Sequence, residues 1–290
     1  MNLPVIITEN IDTGLLKKKV DEAGAVLLRG LSIDTIEKFS SISNSLGSND
    51  VNMSCSAGPR IDMGHNIFTS NEAPSNESIP VHHEMAQCKD YPSYVLFYCV
   101  TPAEEGGCTP IIKSSKVCKE FKKKFPEIAK RIEKEGVRYL REFPNVTDNK
   151  SPLGKSWKDT FHVETKTELE KVLNGKNIKW KWLDNETIQT ISEPINIFKI
   201  YNNEETIFMA AETSLLNIQT GPKKKLIHGN LDYFDKETEN AFIYIGKYAY
   251  NESIRVPWQK YDVLILNNNL IMHSRDPFTG RRKILVSLVK

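Results

Sequence analysis

The residues with the clearest capacity for chemistry are a histidine and a carboxylate two positions apart, His82 and Glu84, in the stretch Pro80–Gln87. In a strand, residues i and i+2 project from the same face, so both side chains can reach one metal ion. The intervening His83 projects from the opposite face, where it is either packed beneath the site or exposed. A third ligand must come from a distant part of the chain.

Two of the six histidines are candidates for this third ligand. His273 is the stronger candidate, because it follows the apolar strand-like stretch 262–267. His228 lies in a turn-like sequence and is the weaker candidate. Two histidines and one carboxylate, with open positions left on the metal, form the facial triad of non-haem Fe(II) oxygenases. His-x-Glu alone is common, and a surface ion pair is the alternative interpretation.

Basic residues follow His273 closely, at Arg275, Arg281 and Arg282. An oxygenase that uses a 2-oxo dicarboxylate needs a fixed cation, and arginine donates two parallel hydrogen bonds to a carboxylate. Thr109, which follows a glycine pair, can add a hydroxyl donor. In an alternating strand only one of the two adjacent arginines can face a site. A basic surface turn is the alternative.

The elements that must position these residues are mostly short strands. Strand-like patterns are predicted at 24–30, 64–70, 81–87, 94–100, 108–112, 136–141, 178–182, 188–191, 195–200, 206–210, 262–267 and 281–288. Helices are predicted at 11–22, 34–46 and 167–175, and in two inserts near 115–135 and 236–248. Strands and helices do not alternate regularly, which favours a mainly β fold with helical decoration (α+β), built on a jelly roll or barrel.

Two helix starts are predicted from capping sequences. Asp34 is the expected N-cap of the second helix. Thr167 is expected to cap another helix in a capping box with Glu170. The long loop 48–80 beside the candidate metal site favours a substrate lid.

Composition restricts the class of protein. The net charge is +2 over 290 residues, which gives no reason to expect a nucleic acid or membrane partner. Five cysteines without a Cys-x-x-Cys pair predict neither a disulfide framework nor a zinc–thiolate site, and fit a reducing, cytoplasmic compartment. We find no repeat, linker or secretory signal, so a single domain over 1–290 is expected. Oligomeric state is not determined.

Several stretches together resemble the TauD/TfdA family of Fe(II)/2-oxoglutarate-dependent dioxygenases. Within this family the chain looks most like the syringomycin-type amino-acid hydroxylases, and more distantly like the clavaminate-synthase-like hydroxylases. The matching stretches follow the family's order from about residue 24 onward. They are 68–70, 79–85, 92–99, 106–111, 136–139, 157–161, 257–268 and 273–282.

This resemblance implies a double-stranded β-helix (jelly-roll) core, with Fe(II) as the metal, 2-oxoglutarate as co-substrate and O2 as oxidant. It makes His82, Glu84 and His273 the catalytic metal ligands. The family's co-substrate site corresponds to Thr109 and to an arginine at the start of the last strand, which favours Arg282 over Arg281.

The resemblance also bears on the reaction. Related halogenases lack the carboxylate at the position of Glu84, so its presence implies hydroxylation or desaturation instead. The expected reaction is hydroxylation of an unactivated C–H of an amino acid or amino-acid derivative, free or bound to a carrier protein, in specialised metabolism. The alternatives are a desaturase or cyclase with the same triad, and a non-enzymatic cupin-like metal-binding protein. Departures from the family include Cys108, where an acidic residue is usual, and His83.

Substrate contacts are expected from loops around the triad, and a structural role is the alternative for each. The candidates are Arg60, Asn66, Gln87, Arg141 and Arg275. Trp157 and Phe161 are instead predicted to be core residues.

Overall fold

A computed structural model describes residues 3–10, 12–51, 60–70, 73–148, 154–210, 224–228 (backbone only) and 235–290. The helices in these ranges are α1 (Thr13–Ala23), α2 (Ile36–Leu46), α3 (Ser114–Lys124), α4 (Pro126–Glu135), α5 (Trp157–Phe161), α6 (Lys166–Gly175) and α7 (Lys236–Asn251). The first nine strands are β1 (Val5–Ile7), β2 (Ala25–Leu28), β3 (Ile67–Thr69), β4 (Ile79–His82), β5 (Tyr94–Thr101), β6 (Glu105–Gly106), β7 (Thr109–Lys113), β8 (Val137–Phe143) and β9 (Lys179–Trp182). The others are β10 (Ile188–Ile191), β11 (Phe198–Tyr201), β12 (Glu204–Ile207), β13 (Lys224–His228), β14 (Ile254–Val256), β15 (Val263–Asn267), β16 (Ile271–Arg275), β17 (Phe278–Thr279) and β18 (Lys283–Val289).

Two sheets form the jelly-roll core. The larger has the strand order β1-β2-β15-β5-β18-β3, and the smaller has the order β14-β7-β16-β4. Their inner faces share one apolar cluster, in which Leu264 and Leu266 of the larger sheet meet Ile111 and Ile271 of the smaller. The mainly β, α+β fold expected from the sequence is therefore confirmed.

β15 shows why the larger sheet has continuous apolar runs. Leu264 and Leu266 face the smaller sheet, whereas Val263 and Ile265 belong to a second cluster with Leu16 and other residues of α1 and α2. All five residues of the strand are buried. A strand covered on both faces has no need of polar alternation.

The smaller sheet has its outer face covered by helices α3, α4 and α7. Val81 of β4, Ile112 of β7 and Met272 of β16 pack into the apolar cluster that these helices supply. Because side chains alternate along a strand, the neighbours of these residues point inward, between the two sheets. The helical inserts thus determine which face of the smaller sheet is available for a site.

A further sheet, with the order β13-β8-β10-β9, the hairpin β11–β12 and the short pair β6–β17 contain the other described strands. Trp157 of α5 is buried in a cluster with Phe143 of β8 and Leu169 of α6, and Phe161 packs against it. Trp157 is thus a core residue, as predicted, whereas Phe161 is half-buried at the edge of the cluster. α5 lies outside the helices predicted from the sequence and was missed.

Both predicted helix caps were wrong by one or two residues. The N-cap of α2 is Thr35, whose hydroxyl accepts a hydrogen bond from the Lys38 amide, and Asp34 instead pairs with the Lys38 ammonium. The capping box of α6 joins Thr165 and Glu168. Each helix start offers more than one side-chain oxygen, and the residue with extended backbone becomes the cap.

Cysteine usage differs from the expectation at one residue. Cys88 is disulfide-bonded, whereas Cys99, Cys108 and Cys118 are free thiols. With five cysteines in the chain, three of them free, no more than one intramolecular bridge can form. Among the described helices, none has the length and apolar character needed to cross a membrane.

We expect Leu264→Ala to lower the free energy of unfolding by about 2–5 kcal/mol, because it leaves a cavity between the two sheets. Urea denaturation followed by circular dichroism measures this change. Ile200→Ala is the matched control, since Ile200 is 78% exposed, and it should change stability by less than about 0.5 kcal/mol. Equal effects of the two substitutions would contradict this packing.

Candidate metal centre

Strand register brings two distant histidines together. His273 of β16 is the direct partner of His82 of β4, and on its other side it pairs with Ile111 of β7. Directly opposed residues of an antiparallel pair project to the same face. The two imidazole centroids are 4.4 Å apart. Pairing across the smaller sheet therefore joins residues that are far apart in the sequence.

Glu84 reaches the histidines from outside the sheet. The strand predicted over 81–87 ends at His82, and Glu84 lies in the turn that follows. The amide side chain of Asn268, which is fully buried, holds this turn. Its Oδ1 accepts a hydrogen bond from the Glu84 amide at 3.0 Å, and its Nδ2 donates to the Glu84 carbonyl at 3.1 Å. The turn after β15 thus fixes the backbone of the carboxylate residue.

His83 is packed beneath the site and is not exposed. The Met209 amide donates to its Nδ1 at 3.2 Å, so the ring proton is on Nε2, which lies 2.6 Å from the hydroxyl of Ser114. Burial lowers the pKa of His83 to about 3, and the ring is neutral at physiological pH. Its role is to anchor the end of β4 to the segment after β12 and to α3.

The side chains of His82, Glu84 and His273 form one compact group. One ligand atom from each lies within 4.8 Å of the others, and the His273 Nε2 to Glu84 Oε2 distance is 4.0 Å. Nδ1 of His82 lies 2.7 Å from the Pro80 carbonyl, which places the proton on Nδ1 and the lone pair on Nε2.

Electrostatics also suit a metal. Burial lowers the pKa of His273 well below its usual value, so the imidazole is neutral, as a metal ligand must be. Two imidazoles and a carboxylate in one compact group are a donor set that fits Fe(II) and leaves positions open. Among the described residues, this is the one such cluster of histidine, cysteine or acidic side chains.

Arg60 contacts the carboxylate of this group. Its Nη2 lies 2.9 Å from Glu84 Oε1, while the other oxygen, Oε2, faces His273. The two carboxylate oxygens of Glu84 therefore have different partners: Oε1 pairs with Arg60, and Oε2 remains directed at His273. Arg60, a candidate substrate contact from the sequence, is thus placed beside the triad.

The candidate co-substrate residues lie at a corner where the start of β18 contacts the segment that leads into β7. Thr109 is buried, and its hydroxyl accepts a hydrogen bond from Trp258 Nε1 at 3.1 Å. Arg282 Nε donates to the carbonyl of Gly107 at 3.1 Å. A Cβ at Gly107, whose φ is +65°, would lie 3.1 Å from Arg282 Cδ. The glycine therefore lets the arginine approach the strand that carries Thr109.

Arg281 and Arg282 differ as the alternation predicts. Arg281 is exposed, whereas Arg282 is half-buried and burial lowers its pKa to about 10. Its guanidinium carbon lies 5.4 Å from the ring centroid of Phe278. A half-buried guanidinium that bonds to the backbone two residues before a buried hydroxyl is part of a donor pair that fits a carboxylate, so this corner suits the distal end of 2-oxoglutarate.

The remaining candidate substrate contacts, and the alternative metal ligand His228, do not all lie beside the triad. Arg275 donates to the backbone carbonyls of the segment 73–77 and so anchors that loop. Asn66 is exposed in the turn before β3. Gln87 and Arg141 line a cavity of 330 Å³. His228 is the last residue of β13 and pairs with Val137 of β8, not with the smaller sheet; its side chain is not among the described parts of the chain.

Sequence reasoning did not identify Asn268 or Trp258 as supporting residues. The available signal for Asn268 was an asparagine run directly after a fully apolar strand. A side chain that can both donate and accept is suited to bracket a backbone amide and carbonyl. For Trp258 the sequence offers no local signal, because its contact with Thr109 spans 149 residues.

The fold and the triad agree with comparisons against known proteins. The chain matches the taurine catabolism dioxygenase TauD, TfdA family over residues 4–288, and it belongs to that family. It is therefore an Fe(II)/2-oxoglutarate-dependent dioxygenase, as the sequence resemblance predicted.

Two relatives are similar over most of their length. A clavaminate synthase-like protein of Arabidopsis thaliana is 32% identical over 297 residues, which covers 100% of this chain and 89% of the relative. The dapdiamide synthesis protein DdaC of Enterobacter agglomerans is 27% identical, with 93% and 83% covered. The crystal structure of PvcB from Pseudomonas aeruginosa has the same fold, with a TM-score of 0.55, 12% identity, and 97% and 80% covered.

We expect Asn268→Ala to weaken binding of Mn(II), a redox-stable probe, by roughly 10–100-fold, because the backbone of Glu84 loses its support. Isothermal titration calorimetry on the folded variant measures the affinity. Asn269→Ala is the matched control, since the adjacent side chain makes no contact with Glu84, and it should bind Mn(II) normally. Undiminished affinity in a folded Asn268→Ala variant would contradict the positioning role.

Proposed function

We propose that this dioxygenase hydroxylates an unactivated C–H bond of an amino acid or amino-acid derivative. The observation that carries the proposal is the carboxylate of Glu84, which lies with both histidines in one group of ligand atoms. A carboxylate at this position occupies the place where a halide would bind in related halogenases. The name of the relative DdaC, a dapdiamide synthesis protein, supports a substrate of amino-acid type.

The chain supplies a complete set of groups for this reaction. His82, Glu84 and His273 would hold Fe(II), and Thr109 with Arg282 would bind the distal carboxylate of 2-oxoglutarate. With both bound, the metal supplies the oxidising chemistry in which one atom of O2 enters the substrate C–H bond and the other enters succinate.

The protein's own contribution is positioning and exclusion of water. Phe97 packs against the edge of the His273 ring, with the centroids 5.2 Å apart, and it shields that ligand on the side of the larger sheet. Asn268 and Arg60 hold the backbone and the carboxylate of Glu84, respectively. Such support keeps ligand orientation fixed during turnover.

Glu84→Ala is expected to abolish succinate formation from 2-oxoglutarate under Fe(II) and O2, because the metal loses one of three protein ligands. A screen of free amino acids, their N-acyl derivatives and carrier-bound thioesters by mass spectrometry identifies the product. A gain of 16 mass units supports hydroxylation, and a loss of 2 would replace it with desaturation or cyclisation. Full succinate production by Glu84→Ala would overturn the ligand assignment.

The adjacent arginines provide a second test. Arg282→Gln should raise the KM for 2-oxoglutarate by roughly 30-fold or more, because a buried carboxylate loses its charged partner. Arg281→Gln removes an exposed guanidinium and should leave this KM unchanged. Steady-state succinate assays at varied 2-oxoglutarate measure both. The reverse ranking of the two variants would assign the co-substrate to Arg281.

A further inference from the structure

A cavity lies beside the metal centre, outside the jelly-roll core. It has a volume of 330 Å³ and lies between strands β8 and β10 and the segment 87–90. Gln87, which lines it, is three residues beyond Glu84, so their Cα atoms are at most about 11 Å apart. Aromatic residues Tyr139, Phe143 and Phe161 supply much of its wall. A substrate whose reactive carbon lies at the triad could therefore extend into this cavity.

Arg141 is a charged residue in the cavity wall that has no carboxylate partner among the described residues. Its guanidinium carbon lies 4.4 Å from the ring centroid of Phe143. Burial lowers the pKa of Arg141 to about 10. The acidic residues of the wall are instead paired with lysines: Glu193 with Lys89, and Asp90 with Lys290.

A second cation, the ammonium of Lys155, lies within electrostatic range of Arg141. Burial lowers the pKa of the Lys155 ammonium, and the nearby charges of Arg141 and Arg60 lower it further. Asp159 acts in the opposite direction, but its carboxylate accepts hydrogen bonds from Ser156 and Thr147 rather than from Lys155. Lys155 makes no ion pair within the described part of the chain.

Arg60 connects these cations to the metal ligands. One of its terminal nitrogens, Nη2, contacts Glu84, and the other, Nη1, is buried with no hydrogen-bond partner among the described residues. Positive charge thus extends from the triad through Arg60 to Lys155 and Arg141. Burying several cations without anions is costly, and a bound anion removes that cost.

We propose that Arg141 in the cavity wall binds a free carboxylate of the substrate, with the nearby charge of Lys155 adding attraction, while the C–H bond to be oxidised lies toward the triad. The proposal rests on the proposed oxygenase function and narrows its substrate class. Arginine presents two parallel donors that match a carboxylate, and lysine adds a compact charge. The aromatic wall suits an apolar chain between the carboxylate and the reactive carbon.

This arrangement separates free acids from carrier-bound substrates. An amino acid attached as a thioester has lost the charge of its α-carboxylate, and it would leave Arg141 and Lys155 without a partner. A site built to pair with a charged group discriminates strongly against an analogue that lacks it. The structure therefore favours a free acid as substrate.

The test uses the full-length protein and needs a readout that does not depend on turnover. A panel of free amino acids and N-acyl amino acids, each with its primary amide, is screened by thermal shift on the metal-free protein. Acids should raise the Tm, and their amides should not. This acid-selective shift should disappear in Arg141→Gln. It should persist in Arg138→Gln, the matched control, because Arg138 alternates with Arg141 on β8 and donates to the Ser192 carbonyl.

Kinetics with a substrate from the same panel complete the experiment. Arg141→Gln should raise the substrate KM by roughly 30-fold or more while the KM for 2-oxoglutarate stays unchanged, and Arg141→Lys should recover part of the loss. No acid-selective stabilisation across the panel would overturn the proposal, as would equal use of acids and amides or turnover of thioesters alone. If no compound supports succinate formation, the oxygenase proposal fails, whereas the thermal shifts still decide the anion site.

Discussion

The pairing of β16 with β4 is the interaction on which the centre depends. It places His273 directly opposite His82, and a slip of one residue would turn His273 toward the helices and Met272 toward the centre. Packing on both faces prevents that slip. Val81 and Met272 fill the apolar cluster under α3, α4 and α7, while the inner face meets the larger sheet. The helical inserts therefore stabilise the register of the metal ligands.

Charge is the second constraint. The triad offers one carboxylate, and Arg60 already contacts it. Arg282, Arg141 and Lys155 are partly withdrawn from water, and burial lowers the pKa of each. Cations that are partly withdrawn from water are stabilised when anions bind next to them. A dicarboxylate co-substrate at the β7–β18 corner and an acidic substrate in the adjacent cavity would together supply that charge.

The two parts of the site belong to different layers of the fold. The metal ligands and the co-substrate corner lie on the jelly roll, which the chain has in common with its family. The cavity with Arg141 lies on β8 and β10 of the separate four-stranded sheet. Function within one fold is diversified through such peripheral elements. Substrate preference in this enzyme is therefore expected to change through β8 and β10 without disturbing the triad.

The sequence by itself determined the local features: the spacing of His82 and Glu84, the alternation that separates Arg281 from Arg282, and most strands. It misplaced helix caps, where neighbouring residues compete for one position, and it extended β4 beyond His82 as far as Gln87. Only the tertiary structure decided contacts between distant segments. It joined His273 to His82 and Asn268 to Glu84, and it assigned Arg275 to a loop. Strand register and burial set these contacts, and neither can be read from residue spacing along one segment.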